Sequence, residues 1–219
     1  MIDPYKKSLD RWYPLIEHPI QRALIEDVYR VKVVPAGRRS GKTERAKRFV
    51  VREAMRTPGN YFVAAPTRDQ VKRIYWKDLK LLSFSDAFKD RPSDTELTIK
   101  FPNGSVISLI GLDKPQRIEG VLWDGGIVDE IADCKASCWA ENIAPALDTF
   151  NPNKPNYRPW CWLIGVPEEM NHYFDLSEYA KSGKDPTWHH YTWLSSDILP
   201  PDVIAAAKAR MSERQYLTE

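Results

Sequence analysis

Apolar positions set out most of the elements before any chemistry is considered. Ile20, Leu24, Ile25 and Val28 recur at helical spacing behind Pro19, so residues 19–29 predict a helix. Val31-Lys32-Val33-Val34-Pro35 reads as a short strand. Lys42 to Arg56 returns to helical spacing, with Ala46, Phe49, Val50 and Ala54 on one side and Thr57-Pro58-Gly59-Asn60 as the stop. Tyr61 to Ala65 is a second apolar strand ended by Pro66. Arg68 to Leu82 predicts a helix whose inner face is Val71, Tyr75, Leu79 and Leu82. Leu97–Phe101 and Val106–Ile110 flank Pro102-Asn103-Gly104-Ser105, the turn chemistry of a hairpin. Gly126–Glu130 and Trp160–Val166 are two more buried-type strands, and His189-His190 alternates with Trp188, Tyr191 and Trp193 as a further one. Pro200-Pro201-Asp202 opens a helix rich in alanine. That helix reaches Glu219 in mid-pattern, which predicts that the chain normally continues. Unbroken apolar strands alternating with helices predict an α/β fold with a mostly parallel sheet covered on both faces.

The 219 residues suit one domain able to bury a core without disulfide or metal support. No apolar run approaches the ~18 residues of a membrane span, and the N-terminus carries no apolar secretory region. Three cysteines, Cys134, Cys138 and Cys161, fit a reducing cytoplasm rather than a disulfide framework. Cys134 and Cys138 lack a second Cys/His pair at ligand spacing, which argues against zinc.

The net charge of +2 hides an uneven distribution. Arg30 to Lys80 holds 15 basic and four acidic residues, a local +11 that leaves about −9 elsewhere. Such segregation marks either a face for phosphates or nucleic acid, or the solvated sides of two helices.

The sharpest motif is Ala36-Gly37-Arg38-Arg39-Ser40-Gly41-Lys42-Thr43, between a strand and a helix. A loop whose backbone amides surround phosphate oxygens needs small residues at its tight places. Lys42 then reaches the β- and γ-phosphates, and Thr43 offers its hydroxyl to Mg²⁺. This is a Walker A pattern with Ala36 at the usual first glycine. Ile127-Val128-Asp129-Glu130 closes an apolar strand, Asp129 lying 87 residues after Lys42. In a parallel sheet those acids stand at the carboxyl edge beside the phosphate loop. Asp129 is expected to hold Mg²⁺ and Glu130 to deprotonate an attacking water, which predicts ATP hydrolysis.

Together these motifs resemble the N-terminal ATPase domain of the large terminase subunit, the DNA-packaging motor of tailed bacteriophages. The resemblance spans nearly the whole chain. His18-Pro19-Ile20-Gln21 is similar to the family's adenine-reading element, and Arg38 matches a position where terminases often carry arginine. Ala65-Pro66-Thr67-Arg68 looks like the segment after the second core strand. Arg117-Ile118-Glu119-Gly120 is similar to an Arg-Gly element, with Ile118 and Glu119 as two extra residues. Ile164 to Phe174 looks like the coupling motif, implying coupling roles for Val166, Pro167 and Asn171; Val166 replaces the usual Thr or Ser. Leu199-Pro200-Pro201 and Ser212 to Tyr216 resemble the approach to the family's nuclease domain, whose acidic cluster is not in these 219 residues, so cutting is not expected of this chain.

The resemblance implies a P-loop core over about 31–190, with a small lid from about 1–30 and 195–219. It implies ATP and Mg²⁺ as cofactors, double-stranded DNA, a portal protein and the small terminase subunit as partners, and a homo-oligomeric ring. It places the protein in the host cytoplasm at the procapsid portal. Arg38 is the candidate for a catalytic contact in cis and Arg117 for one in trans, with Arg39 as a third; the alternative for Arg117 is an exposed loop arginine. Gln21 can present its amide to adenine or be a solvent-facing helix residue. Trp12, Tyr13 and Tyr5 can stack on a base or serve as packing. Two further readings stay open: a helicase-like translocase outside phage packaging, and a non-catalytic nucleotide-binding module.

Overall fold

The computed structural model describes residues 4–166 and 170–210, and the side chains from residue 6 onward within them. In chain order the elements are α1 (Pro4–Arg11), α2 (Pro19–Glu26), β1 (Val31–Pro35), α3 (Lys42–Arg56), β2 (Asn60–Ala65), α4 (Arg68–Val71) and α5 (Lys77–Leu82). They continue with β3 (Thr98–Lys100), β4 (Val106–Gly111), β5 (Gly125–Asp129), α6 (Ala144–Asp148), β6 (Trp160–Gly165), α7 (His172–Lys181), β7 (Trp188–His190) and α8 (Pro201–Arg210). Among the described residues no helix is long and apolar enough to cross a membrane.

Seven strands form one sheet in the order β3-β4-β2-β5-β6-β1-β7. All pairs are parallel except β3 with β4, the predicted hairpin. Strand periodicity sends alternate residues to opposite faces. Val34, Val63, Ile127, Trp162 and Ile164 join α2, α3 and α5 on one side, while Val33, Phe62, Val128 and Leu163 join residues 139–148 and α7 on the other. Both faces are therefore dry, as the unbroken apolar runs require. Gly126 is needed for this packing, because a Cβ there would lie 2.2 Å from the Phe62 ring.

Three local features depart from the sequence pattern. The helix expected over 19–29 stops at Glu26, and Val28 is 98% exposed. Asp27 is extended, and the buried Lys32 ammonium takes up the Leu24 carbonyl at 2.6 Å. Burial lowers the Lys32 pKa to about 8. The helix expected over 68–82 is interrupted by a π-turn, Lys72–Trp76. The segment 172–181, read only for its motif, is a helix capped by Asn171, whose side chain accepts from the amides of Tyr173 (3.0 Å) and Phe174 (3.2 Å).

Much of the basic stretch is consumed internally. Arg11 makes a bidentate pair with Glu44 at 2.6 Å and reaches Asp78 at 2.9 Å. Lys47 also pairs with Asp78 (2.7 Å), Arg48 with Glu44 (2.9 Å), and Arg56 with Glu53 (2.5 Å). On α3, Lys47 and Arg48 thus belong to a tertiary clamp for α1 and α5, while Arg56 pairs within the helix. Trp12 belongs to the same joint: its indole donates to the Leu82 carbonyl at 3.0 Å, and Arg48 lies over its ring. Of the two readings for Trp12, this is the packing one. Tyr13 stacks under the Arg48 guanidinium, 4.7 Å from the ring centre.

Candidate nucleotide-binding site

Register decides how the two motifs meet. Ile164 of β6 is the parallel partner of Val34 on one side and of Asp129 on the other. The phosphate loop after β1 and the acids after β5 therefore leave the same carboxyl edge, one strand apart, where open α/β sheets bind ligands.

The loop from Ala36 to Gly41 joins β1 to the first turn of α3. Arg39 has φ 60° and Gly41 has φ 86°, so two residues in the left-handed region turn the chain into the helix. Ala36 is buried and its amide bonds the Gly165 carbonyl at 3.2 Å, tying the loop's first residue to β6. Arg38 and Arg39 are exposed on the loop. The hydroxyl of Ser40 is buried without a partner among the described residues.

Lys42 is buried, and its ammonium bonds the Gly37 carbonyl at 3.4 Å, folding back over its own loop. Thr43 donates its hydroxyl to Asp129 Oδ2 at 3.1 Å. Asp129 is 1% exposed. Burial raises its pKa, opposed by Tyr75, the Lys42 charge, Thr43 and the Glu130 amide. Glu130 follows with φ 52° and ψ 48°, and its amide donates to Asp129 Oδ1 at 3.0 Å. This left-handed residue turns the second carboxylate away from the strand direction. Burial first, and then the neighbouring Asp129 charge, raise the Glu130 pKa, while Lys42 and a hydrogen bond from the Val166 amide hold it down.

Hard oxygen donors with a lysine beside them are a donor set for a magnesium-bound phosphate chain rather than for a thiophilic metal. The residues present fit Mg²⁺ through the Thr43 hydroxyl and the Asp129 carboxylate.

Other sequence candidates fall at different distances from this centre. Gln21 is buried and its amide is used on both sides, donating to the Ser40 carbonyl at 2.9 Å and accepting from Arg45 Nε at 2.9 Å. In this structure it braces the phosphate loop and is not a solvent-facing residue. Arg117 stands in a 3-10 turn between β4 and β5, 42% exposed and 3.7 Å from Asp113. The two extra residues beside it are structural: Ile118 is fully buried, and Glu119 accepts from Asn142 at 2.7 Å. Val166 is buried at the end of β6, with its backbone, not its side chain, on Glu130. Asn171 caps α7, and Pro167 lies outside the described residues, as does the stretch 212–216.

Sequence reasoning missed three contributors. Tyr75 donates its hydroxyl to Asp129 Oδ2 at 2.7 Å. Trp193 donates its indole N–H to the Ser40 carbonyl at 2.8 Å, and Ser195 its hydroxyl to the Arg38 carbonyl at 2.8 Å. Tyr75 was visible only as one residue of an apolar helix face. The other two lie more than 150 positions from the atoms they touch, with no local signal.

No family model matches the chain. Among curated proteins it is 26% identical to the large terminase subunit of Thermus phage G20c and 25% identical to that of Thermus virus P23-45, over 76% of this chain in each case. The chain spans 38% of the length of these relatives. Among solved structures it superposes on the large terminase ATPase domain of Thermus phage P74-26 with a TM-score of 0.74 at 21% identity, covering 93% of this chain and 92% of that one. The large terminase of a second thermophilic bacteriophage gives a TM-score of 0.69 at 20% identity, over 98% of this chain and 51% of that one. That second protein has also been solved in complex with ADP and with ATP-gamma-S. In sequence the chain is therefore similar to the large terminase subunits of bacteriophages, and its fold is that of their ATPase domains.

Proposed function

We propose that this chain is a Mg²⁺-dependent ATPase of the terminase type, which hydrolyses ATP to drive double-stranded DNA into a procapsid. The carrying observation is the convergence of Lys42, Thr43, Asp129 and Glu130 at one sheet edge. Thr43 and Asp129 are already in contact there at 3.1 Å.

The residues divide the work. Amides of the phosphate loop and the start of α3 cradle the phosphates, and Lys42 swings from the Gly37 carbonyl onto the β- and γ-phosphate oxygens. Thr43 and Asp129 would hold Mg²⁺, which when bound would neutralise phosphate charge. A water attacks the γ-phosphorus, the bond to the β-phosphate oxygen breaks, and the water proton passes to Glu130, leaving ADP and inorganic phosphate. Burial and the neighbouring Asp129 raise the proton affinity of Glu130, which suits a general base. The Val166 amide fixes that carboxylate. Coupling is assigned to Val166, Pro167 and Asn171; at Val166, where the hydroxyl of the usual residue is missing, it operates through the backbone amide on Glu130.

Arg38 is assigned a contact with the nucleotide of its own subunit and Arg117 one with that of a neighbour in a ring. The exposed position of Arg117, braced by buried Ile118, supports an outward reach. An arginine of this kind is worth roughly 10³–10⁵ in rate. Packaging of viral DNA at a portal, with a small subunit as partner, is what the resemblance to large terminase subunits implies.

Phosphate release by the purified chain tests the core of this reading. Release that requires Mg²⁺ and vanishes in Lys42→Ala supports it; release that persists in Lys42→Ala contradicts it.

A further inference from the structure

The Asp129 carboxylate is held from a third direction that the phosphate loop and its own strand do not supply. Tyr75 is fully buried, and its hydroxyl donates to Asp129 Oδ2 at 2.7 Å, the same oxygen that accepts from Thr43 at 3.1 Å. Oδ1 is taken by the Glu130 amide at 3.0 Å. Of these donors, Thr43 has a second duty, because its oxygen is the one offered to the cation. The Tyr75 hydroxyl has Asp129 as its acceptor and is closed off from bulk water.

The backbone beneath Tyr75 is unusual. It lies in the π-turn Lys72–Trp76 that breaks the helix between α4 and α5. Such turns are rare and recur at functional sites. Two consecutive aromatic residues, Tyr75 and Trp76, are buried from this turn. The apolar face of the helix needs only a ring at this position, and phenylalanine would fill it without burying a hydroxyl. The same helix is clamped one turn on, where Asp78 binds Arg11 and Lys47, and the Lys47 ammonium sits 5.5 Å above the Tyr75 ring.

From this geometry we propose that Tyr75 is a positioning residue for the metal site: its hydroxyl orients the Asp129 carboxylate so that the other lone pairs face the cation and its water shell. This rests on the assignment of Asp129 to Mg²⁺ given above. Outer partners of this kind typically change metal affinity about 10–100-fold when removed.

The test uses the whole chain with two variants, Tyr75→Phe and Tyr61→Phe. Tyr61 is an equally buried tyrosine whose hydroxyl bonds the Thr57 carbonyl at 2.8 Å, away from the site. Mn²⁺ affinity is measured by electron paramagnetic resonance with ATP-gamma-S present, alongside nucleotide affinity in EDTA and thermal unfolding. Tyr75→Phe is expected to weaken Mn²⁺ binding about 10-fold while leaving metal-free nucleotide affinity unchanged, and Tyr61→Phe to leave both unchanged. The Mg²⁺ concentration for half-maximal hydrolysis should rise by the same factor in Tyr75→Phe only. Unchanged Mn²⁺ affinity in a folded Tyr75→Phe protein overturns the proposal while leaving the metal site standing. Failure of the wild-type chain to bind Mn²⁺ with the nucleotide overturns the metal site and the proposal together. If Tyr75→Phe is not recovered folded, Tyr75→Met is read by the same criteria.

Discussion

Gln21 and Trp193, 172 positions apart in the chain, donate to one acceptor, the carbonyl of Ser40, at 2.9 and 2.8 Å. Helix α2 and the segment after β7 thus meet on the backbone of the phosphate loop, and Ser195 adds a bond to the carbonyl of Arg38, two residues earlier. These three side chains hold the loop's shape through its backbone carbonyls.

Removing one anchor should loosen the loop without opening the core. Gln21→Ala leaves Arg45 Nε without its 2.9 Å partner and Ser40 with one donor fewer. We expect a loss of about 1–2 kcal/mol in stability and nucleotide binding weakened several-fold. Urea unfolding and a fluorescent-nucleotide titration measure the two. Unaltered values for both would mean that the shared carbonyl contributes nothing to loop shape.

The Arg11 joint predicts an acid sensitivity. Burial alone would raise the pKa of Glu44, but hydrogen bonds from Arg11 and Arg48 outweigh it and lower the value. Asp78 behaves likewise, with burial overcome by Arg11 and Lys47. Carboxylates whose folded pKa is depressed bind fewer protons in the folded state, so stability rises with pH across that window. Their contribution is present above the ordinary carboxylate range and is lost as pH falls through and below it. Arg11→Met should cost about 2–4 kcal/mol at neutral pH and flatten the acid limb of stability against pH. Denaturant midpoints between neutrality and the acid limb check this. An acid limb unchanged in Arg11→Met would assign the sensitivity to other groups.

Glu130 has the opposite sign. Burial and Asp129 raise its pKa, so the folded state binds more protons than the unfolded chain and its contribution to stability diminishes as pH rises through the window. For turnover the consequence is direct: the base is lost to protonation at a pH above that of an ordinary glutamate. The acid limb of kcat/KM, which reports the nucleotide-free protein, should therefore lie above the usual carboxylate range. A limb at or below that range would remove burial as the tuning of this base.

Nucleic-acid contact should not come from the charges of α3 that are already paired. Lys72, Arg73 and Lys77, on the outer side of the α4–α5 helix, are exposed. Replacing these three by alanine should lower affinity for duplex DNA uniformly across sequences and reduce the salt slope by about three. Arg48→Ala should change that slope little, because Arg48 is bonded to Glu44 and to the carbonyls of Arg11 and Tyr13. A fluorescence-anisotropy salt series distinguishes them, and a larger slope change in Arg48→Ala would place the contact on α3 instead.

The parts of the site legible in the sequence were those written in consecutive residues. The loop from Ala36 to Thr43 and the strand end at Asp129 each carry their chemistry in one stretch, and flanking apolar runs fix their place in a parallel sheet. What stayed hidden depends on partners far along the chain. Tyr75 is indistinguishable from a packing residue until β5 arrives beside it. Helix α1 has mostly polar residues, and the ion pairs of Arg11 with Glu44 and Asp78 hold it to the core. Val28 fitted a helical spacing, yet the helix ends before it because Lys32 binds carbonyls at the end of α2. The basic charge of α3 pointed to phosphates, yet Lys47 and Arg48 face acids inside the fold and Arg45 bonds Gln21.

Glu130 is assigned to the bond-breaking step and not to binding. Nucleotide affinity and single-turnover hydrolysis of Glu130→Gln, measured side by side with the wild-type chain in Mg²⁺, test this most directly. Affinity within a few-fold of wild type with turnover down by about 10²–10⁴ is the predicted result. Turnover at the wild-type rate in that variant would contradict it, and with it the hydrolytic role given to this edge of the sheet.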